Sequence, residues 1–214
     1  RSTLFPYTTL FRSLADYRTL LCNSMGRVDR EREYLDLLIA QRVDGIISGA
    51  HNEMQMDYDT VRMPLVTIDR DLSPTIPNIR ADNLAGGRLA TEHLLARGRT
   101  RPAILTSRTG PHNLREAGYR AVLAEHSIQP VLLTVEFHTP DSMRYGLVSS
   151  QLDAVAQEID SVFATDDLAA AAVLEWAYQH GRRVPEDFAV VGFDGTSAVL
   201  CQRSEERRVG KECR

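Results

Sequence analysis

The feature that most constrains the fold is an alternation of short apolar segments with longer segments of helical periodicity, which continues through most of the 214 residues. Strands that alternate with helices of this length are typical of parallel sheets covered by helices. The segment Phe188–Val191 is a continuous apolar run, as expected for a strand that is buried on both faces of such a sheet. The sequence therefore predicts an α/β fold with parallel sheets flanked by helices.

Periodicity and turn residues place the individual elements. Asp82 and either Asp166 or Asp167 have the positions of helix N-caps, and Gly98 and Gly181 follow helix C-termini. The predicted helices are 29–42, 82–96, 114–126, 141–159 and the segment from the cap at 166 or 167 to 180. The predicted strands are 18–22, 46–47, 64–68, 103–106, 131–135, 162–165 and 188–193.

The composition is that of an ordinary globular protein, with 43% hydrophobic and 25% charged residues. A net charge of −4 offers no basic footprint for nucleic-acid phosphates, so we expect no DNA binding by these residues alone. The three cysteines lack Cys-x-x-Cys spacing and indicate a reducing compartment without a metal site or a disulfide framework. No run reaches the about 18 apolar residues of a membrane span, and no secretory signal pattern is visible, so we expect no membrane contact.

The two ends of the chain differ in character from the rest. Residues 1–13 show no period that continues into the next segment, and residues 201–214 are mostly a charged run without an apolar face. We expect both ends to be foreign or disordered tails, which are common at chain termini.

Polar side chains follow most of the predicted strands. In open α/β sheets, ligands bind beyond the carboxyl ends of the strands. The residues at those positions are Ser48, Gly49, Asp69, Arg70, Ser107, Arg108, Asp166, Asp167 and Asp194. Carboxylates accept hydrogen bonds from hydroxyls, and arginine donates in a fixed fork. The set indicates a site for a small polar ligand.

Signatures of catalysis are lacking. The sequence has no G-x-S-x-G elbow, no phosphate loop and no H-E-x-x-H motif. Gly86 and Gly87 lie inside a predicted helix rather than after a strand, so they are not a dinucleotide fingerprint. The pair Asp166–Asp167 fits one helix cap plus one ligand or solvent contact better than a catalytic dyad. We therefore predict no catalytic residue, no metal and no cofactor.

Several segments, in order and spacing, resemble the effector-binding core of the LacI/GalR family of bacterial transcription regulators. The resemblance runs from about residue 14 to residue 199. The matching segments are PLVTIDR at 64–70, DNLAGGRLATEHLLARG at 82–98, REAGY at 115–119, FATDDLAAAA at 163–172 and PEDFAVVGFD at 185–194.

This resemblance implies a two-lobe, periplasmic-binding-protein-like fold that closes over a small effector, by default a sugar. It implies an N-terminal lobe over 14–100 and a C-terminal lobe over 101–200. By position, Arg115, Asp166 and Asp194 would contact the effector, with Asp82 and Pro111 as secondary candidates. Each also fits an ordinary role: the three aspartates as helix caps or a turn residue, Arg115 as a surface arginine, and Pro111 through shape or its carbonyl alone.

The chain also departs from the family pattern. The helix-turn-helix headpiece, the first strand and the last strands of the family are absent, so the fold is expected to be incomplete at both ends. Gly195 replaces the second acid of the "GfDd" motif, and Asp166 stands where asparagine is usual.

For the parent protein the resemblance implies a cytoplasmic, homodimeric repressor that reaches operator DNA only through the headpiece absent here. The alternative is a periplasmic sugar-binding transport receptor, and an enzyme on a similar fold is a more distant third.

Overall fold

A computed structural model of the chain describes residues 8–12, 17–49, 58, 61–69 and 72–195. The chain divides into two compact units, Arg1–Ala81 and Asp82–Arg214. The helix after Asp82 falls in the second unit because it packs closely against the helix of the REAGY segment. The lobes expected over 14–100 and 101–200 stay a prediction. The predicted positions Arg70 and 201–214 lie outside the described residues.

The first unit begins with an antiparallel pair of strands. Strand β1 (Thr8–Arg12) pairs with β2 (Arg18–Cys22), so residues 8–12 form a strand where the sequence predicted a tail. Helix α1 (Val28–Ala40) follows. A separate parallel sheet has the order β3 (Ile46–Ser48), β4 (Leu65–Ile68) and β5 (Asn78–Ile79).

The two faces of the β3–β4–β5 sheet differ in burial. On one face, Ile46 and Leu65 are buried in a cluster with Leu35 of α1. On the other face, the paired positions Ile47–Val66 and Ile68–Ile79 are all apolar, and their three isoleucines are exposed. Parallel sheets normally bury both faces, so this exposed apolar face is unusual.

The second unit is a four-stranded parallel sheet between two helical layers. Its elements are α2 (Asn83–Ala96), β6 (Pro102–Thr106), α3 (Leu114–Glu125), β7 (Val131–Thr134), α4 (Asp141–Val155), β8 (Ser161–Ala164), α5 (Asp167–Gln179) and β9 (Ala189–Val191). The strand order is β7-β6-β8-β9, and every pairing is parallel. These elements confirm the predicted α/β alternation. Among the described residues no helix is long and apolar enough to cross a membrane.

Each face of this sheet supports its own apolar core. Residues of α2 and α3, including Leu94 and Leu123, pack with Ile104 and Phe163 on one face. Residues of α4 and α5, including the fully buried Trp176, pack on the other. Burial on both faces explains why the strands of this unit read as continuous apolar runs.

Two glycines allow α2 and α3 to approach each other very closely. A methyl group added at Gly87 would lie 2.2 Å from the carbonyl oxygen of Arg115. One added at Gly118 would lie 2.3 Å from the carbonyl oxygen of Leu84. Only a residue without a Cβ fits such a contact, so the two glycines fix where the first turn of α3 lies against α2.

Hydrogen bonds tie the strands together at the amino ends of the sheet. The Asp160 carboxylate, just before β8, accepts from the Thr100 N–H at 2.7 Å and from the Arg101 N–H at 3.2 Å, both just before β6. Burial alone would raise the pKa of Asp160, but these bonds and that from the Ser161 hydroxyl hold the pKa below its ordinary value.

Tyr119 of α3 joins β6 to β7 on the same sheet. Its hydroxyl donates to the Pro102 carbonyl at 2.8 Å and accepts from the Val131 N–H at 3.0 Å. Burial raises the pKa of this phenol to about 12.

Candidate functional site

The carboxyl ends of β6, β8 and β9 bring the predicted site segments of the second unit to one edge of the sheet. The loop 107–113 follows β6, residues 165–166 follow β8, and residues 192–195 follow β9. Strand β9 ends at Val191, shorter than the predicted 188–193, so Gly192, Phe193 and Asp194 form the turn beyond it. This edge is where α/β sheets bind ligands.

Arg115, in the first turn of α3, bonds to each of the neighbouring segments. Its Nε donates to Oδ1 of Asn83 at 2.8 Å, and its Nη1 donates to the carbonyl oxygen of Thr165. Its Nη2 lies 3.4 Å from Oδ1 of Asp194, a longer and weaker ion pair whose side chains are 21% and 43% exposed. The structure thus brings together Arg115 and Asp194, two of the three predicted effector contacts.

An aromatic ring supports the Arg115 guanidinium. The guanidinium carbon lies 3.7 Å from the centre of the Phe193 ring, a geometry that gives a cation–π attraction. The ring is held in turn by α2, because a methyl group added at Gly86 would lie 2.6 Å from it. Gly86 therefore leaves the space that Phe193 occupies.

Two adjacent carboxylates follow β8. Asp166 is the N-cap of α5, and its Oδ1 accepts from the Ala169 N–H at 2.8 Å. It is partly exposed, and its own chain neighbour Thr165 supplies the carbonyl that Arg115 binds. Asp167 is buried beside Gly192, since a methyl group there would lie 3.3 Å from its Oδ1. The predicted cap is therefore Asp166.

The two secondary candidates have different surroundings. Asp82 is the exposed N-cap of α2, accepts from the Ala85 N–H at 3.0 Å, and directly precedes Asn83. Pro111 is exposed in the loop between β6 and α3. The cap role of Asp82 is confirmed, and effector contact by either residue stays a prediction.

The loop after β6 is held by its own polar network. Asn113 caps α3 by accepting from the Glu116 N–H, and its amide donates to the Thr106 hydroxyl at 2.8 Å. The buried Glu116 carboxylate accepts from the Gly110 N–H at 3.0 Å and from Nε of Arg120 at 2.7 Å. Thr165 donates to Thr106 at 3.2 Å, which joins this loop to the end of β8.

The edge as a whole combines a guanidinium that is fixed by its hydrogen bonds with the carboxylates that follow the strands. Such groups can donate to and accept from the hydroxyls of a small solute. Among the described residues, no three His, Cys, Asp or Glu side chains form a group that could hold a metal ion.

The residues that the sequence reasoning missed are Asn83 and Phe193. Both directly adjoin predicted contacts in the motif segments, Asn83 after Asp82 and Phe193 before Asp194. That adjacency was the available signal, but their contact with Arg115 spans 32 residues along the chain in one case and 78 in the other.

A family model described as a periplasmic binding protein-like domain matches residues 91–205, more than half of the chain. Together with the parallel sheet and the site at its carboxyl edge, this match shows the class of protein. The chain belongs to the periplasmic binding protein-like domain family, and the predicted resemblance to LacI-type regulators is confirmed by its relatives.

Those relatives are repressors and regulators. The chain is 37% identical over 193 residues to the sucrose operon repressor of Pediococcus pentosaceus, covering 89% of this chain and 59% of the repressor. It is 33% identical to the ribose operon repressor of Halalkalibacterium halodurans, over 84% of this chain and 54% of the repressor. The structure of a putative LacI-family regulator from Sanguibacter keddieii matches with a TM-score of 0.77 at 30% identity, over 91% of this chain and 72% of that one.

The chain spans less than two thirds of the length of these curated repressors.

Proposed function

We propose that this chain is the effector-binding core of a LacI-type transcription regulator and that its effector is a sugar. The observation that carries the proposal is the arrangement of Arg115, which is fixed at the carboxyl ends of the strands with Asp194 at 3.4 Å. A guanidinium and a carboxylate side by side match the donor and acceptor character of adjacent sugar hydroxyls. The names of the sucrose and ribose operon repressors support the same class of ligand.

In this proposal Arg115, Asp166 and Asp194 contact the effector. Asp166 has one carboxylate oxygen on the Ala169 N–H, and its carboxylate retains further lone pairs for a hydroxyl. Asp82 and Pro111 stand near the ligand as secondary contacts. Charge-assisted hydrogen bonds contribute about 1.5–3 kcal/mol each, so a few of them suffice for micromolar binding after the costs of association.

The rest of the protein acts through this core. We propose a cytoplasmic homodimer in which a separate headpiece binds operator DNA and effector binding changes the affinity of the headpiece for DNA. The core performs no catalysis. The repressor names of the relatives support this role over that of a transport receptor.

Titration calorimetry of this chain against neutral sugars, including sucrose and ribose, tests the proposal. We expect saturable binding of at least one sugar and a loss of tenfold or more in affinity for Asp194→Ala, as expected for about 1.4 kcal/mol or more of lost binding energy. Glu175→Gln removes an exposed carboxylate from the middle of α5 and serves as the matched control, with unchanged affinity. A folded chain that binds none of the sugars, or an Asp194→Ala variant that binds as well as wild type, contradicts the proposal.

A further inference from the structure

The side chain of Arg115 is more strongly constrained than an effector contact requires by itself. It starts on α3 and bonds to the start of α2 through Asn83 and to the end of β8 through the Thr165 carbonyl. A free arginine side chain must lose about 2 kcal/mol of rotamer entropy when a ligand fixes it. In this structure the side chain is already fixed by protein groups.

The contacts of Arg115 with Asn83 and with Asp194 differ in strength. The bond to Asn83 is short, whereas the distance to Asp194 is 3.4 Å. The looser contact joins the two groups that are proposed to bind the effector. A hydroxyl that bridges Arg115 and Asp194 would therefore replace a weak contact and leave the strong one in place.

Asn83 sets the rotation of the guanidinium. It accepts from Nε, the guanidinium nitrogen that carries a single N–H in the plane of the group. Phe193 sets the height of the same group, because its ring lies 3.7 Å from the guanidinium carbon and is itself confined by Gly86. One residue thus fixes the plane's orientation and the other its position.

We propose that Asn83 and Phe193 are positioning residues that hold Arg115 ready for the effector, an inference that rests on the proposed function.

A pair of substitutions at residue 83 separates positioning from a structural role. Asn83→Leu has a similar size and removes the acceptor, whereas Asn83→Asp keeps an acceptor for Nε and suits the first turn of a helix. We expect sugar affinity to fall about tenfold in Asn83→Leu and to stay within about threefold of wild type in Asn83→Asp. Asn83→Leu should unfold at a somewhat lower temperature because it loses the bond to Arg115, but circular dichroism should show both variants folded at the temperature of the binding assay.

A second measurement needs no ligand. The Arg115 Nε–H signal in a nitrogen–proton spectrum, assigned by its loss in Arg115→Lys, should exchange slowly with water in wild type and Asn83→Asp. It should exchange faster in Asn83→Leu, and also in Phe193→Leu, which keeps bulk but removes the ring. If wild type binds no sugar while these exchange rates differ as expected, the proposed function fails and the positioning of Arg115 stands. Equal exchange rates in all variants, or equal affinities for the Leu and Asp variants, overturn the inference.

Discussion

Gly87→Ala should destabilise the second unit, although alanine is the better helix former. The added methyl group would lie 2.2 Å from the Arg115 carbonyl oxygen and 2.9 Å from its carbonyl carbon. Ordinary contact begins at 3.4 Å, so α2 and α3 would have to separate by about 1 Å along this direction. Both sides of the contact are helix backbone, so no side chain can rotate away to relieve it.

The magnitude follows from two opposing effects. Overpacking a tight contact costs about 1–3 kcal/mol, and a rigid backbone partner places this case at the upper end. The higher helix propensity of alanine stabilises the helix by about 1 kcal/mol relative to glycine. We therefore expect the free energy of unfolding to fall by about 2 kcal/mol for Gly87→Ala.

Gly146→Ala is the matched control for this prediction. Gly146 lies inside α4, and a methyl group there meets nothing within 4 Å. Without a clash, only the propensity gain remains, so we expect stabilisation by about 0.5–1 kcal/mol. In urea unfolding followed by circular dichroism, the midpoint should fall for Gly87→Ala and rise for Gly146→Ala. The dependence of the free energy of unfolding on urea concentration should be the same for both variants. Midpoints that move the same way would refute the reasoning from backbone contact.

Two further predictions concern side chains whose hydrogen bonds join strands of the same sheet. Asp160→Asn should lower the free energy of unfolding at neutral pH by about 2 kcal/mol, because charge-assisted bonds between strands are lost. Because the pKa of Asp160 is lowered in the folded state, the stabilisation by its carboxylate should be complete above about pH 4 and be lost as the pH falls through the folded pKa. Urea unfolding of wild type and Asp160→Asn at several pH values would detect this loss. A difference in stability between the two proteins that does not change with pH would argue against the prediction. Tyr119→Phe should lower the free energy of unfolding by about 1–3 kcal/mol, because the Pro102 carbonyl and the Val131 N–H lose their partner. Burial raises the pKa of Tyr119 to about 12, so the substitution should also remove a late-titrating phenol from the ultraviolet absorbance of the folded protein. Wild-type stability of this variant would show that the bonds to Pro102 and Val131 contribute nothing.

Local sequence signals were sufficient for most of the second unit. Helix α2 begins at its Asp82 cap and is followed by Gly98 with a φ of +83°, because capping and left-handed backbone depend on single residues and their neighbours. Strands β6 and β8 were recognised because burial on both faces makes their central residues apolar, Ala103–Leu105 in β6 and Val162–Ala164 in β8. The α/β class followed from these elements.

Contacts between distant parts of the chain were beyond those signals. Strand β5 has two residues, too few to show a period, and β1 was not foreseen because its antiparallel pairing depends on β2. The boundary at Asp82 depends on the packing of α2 against α3, which no local pattern reports. For the candidate site, sequence motifs predicted Arg115 and Asp194, which the structure brings within 3.4 Å of each other, but the support by Asn83 and Phe193 depends on the folded geometry.

The bonds that secure the β7-β6-β8-β9 sheet at its amino edge lie at the opposite end of the strands from the candidate site. Asp160 binds backbone groups that precede β6, and Arg99 donates to the Glu186 carbonyl before β9 at 3.0 Å. Changes in the loops at the carboxyl edge leave these bonds intact. In a domain built in this way, substitutions in the loops can change which ligand is bound while the sheet keeps its strand order. Related sequences can therefore differ in ligand specificity and still fold in the same way.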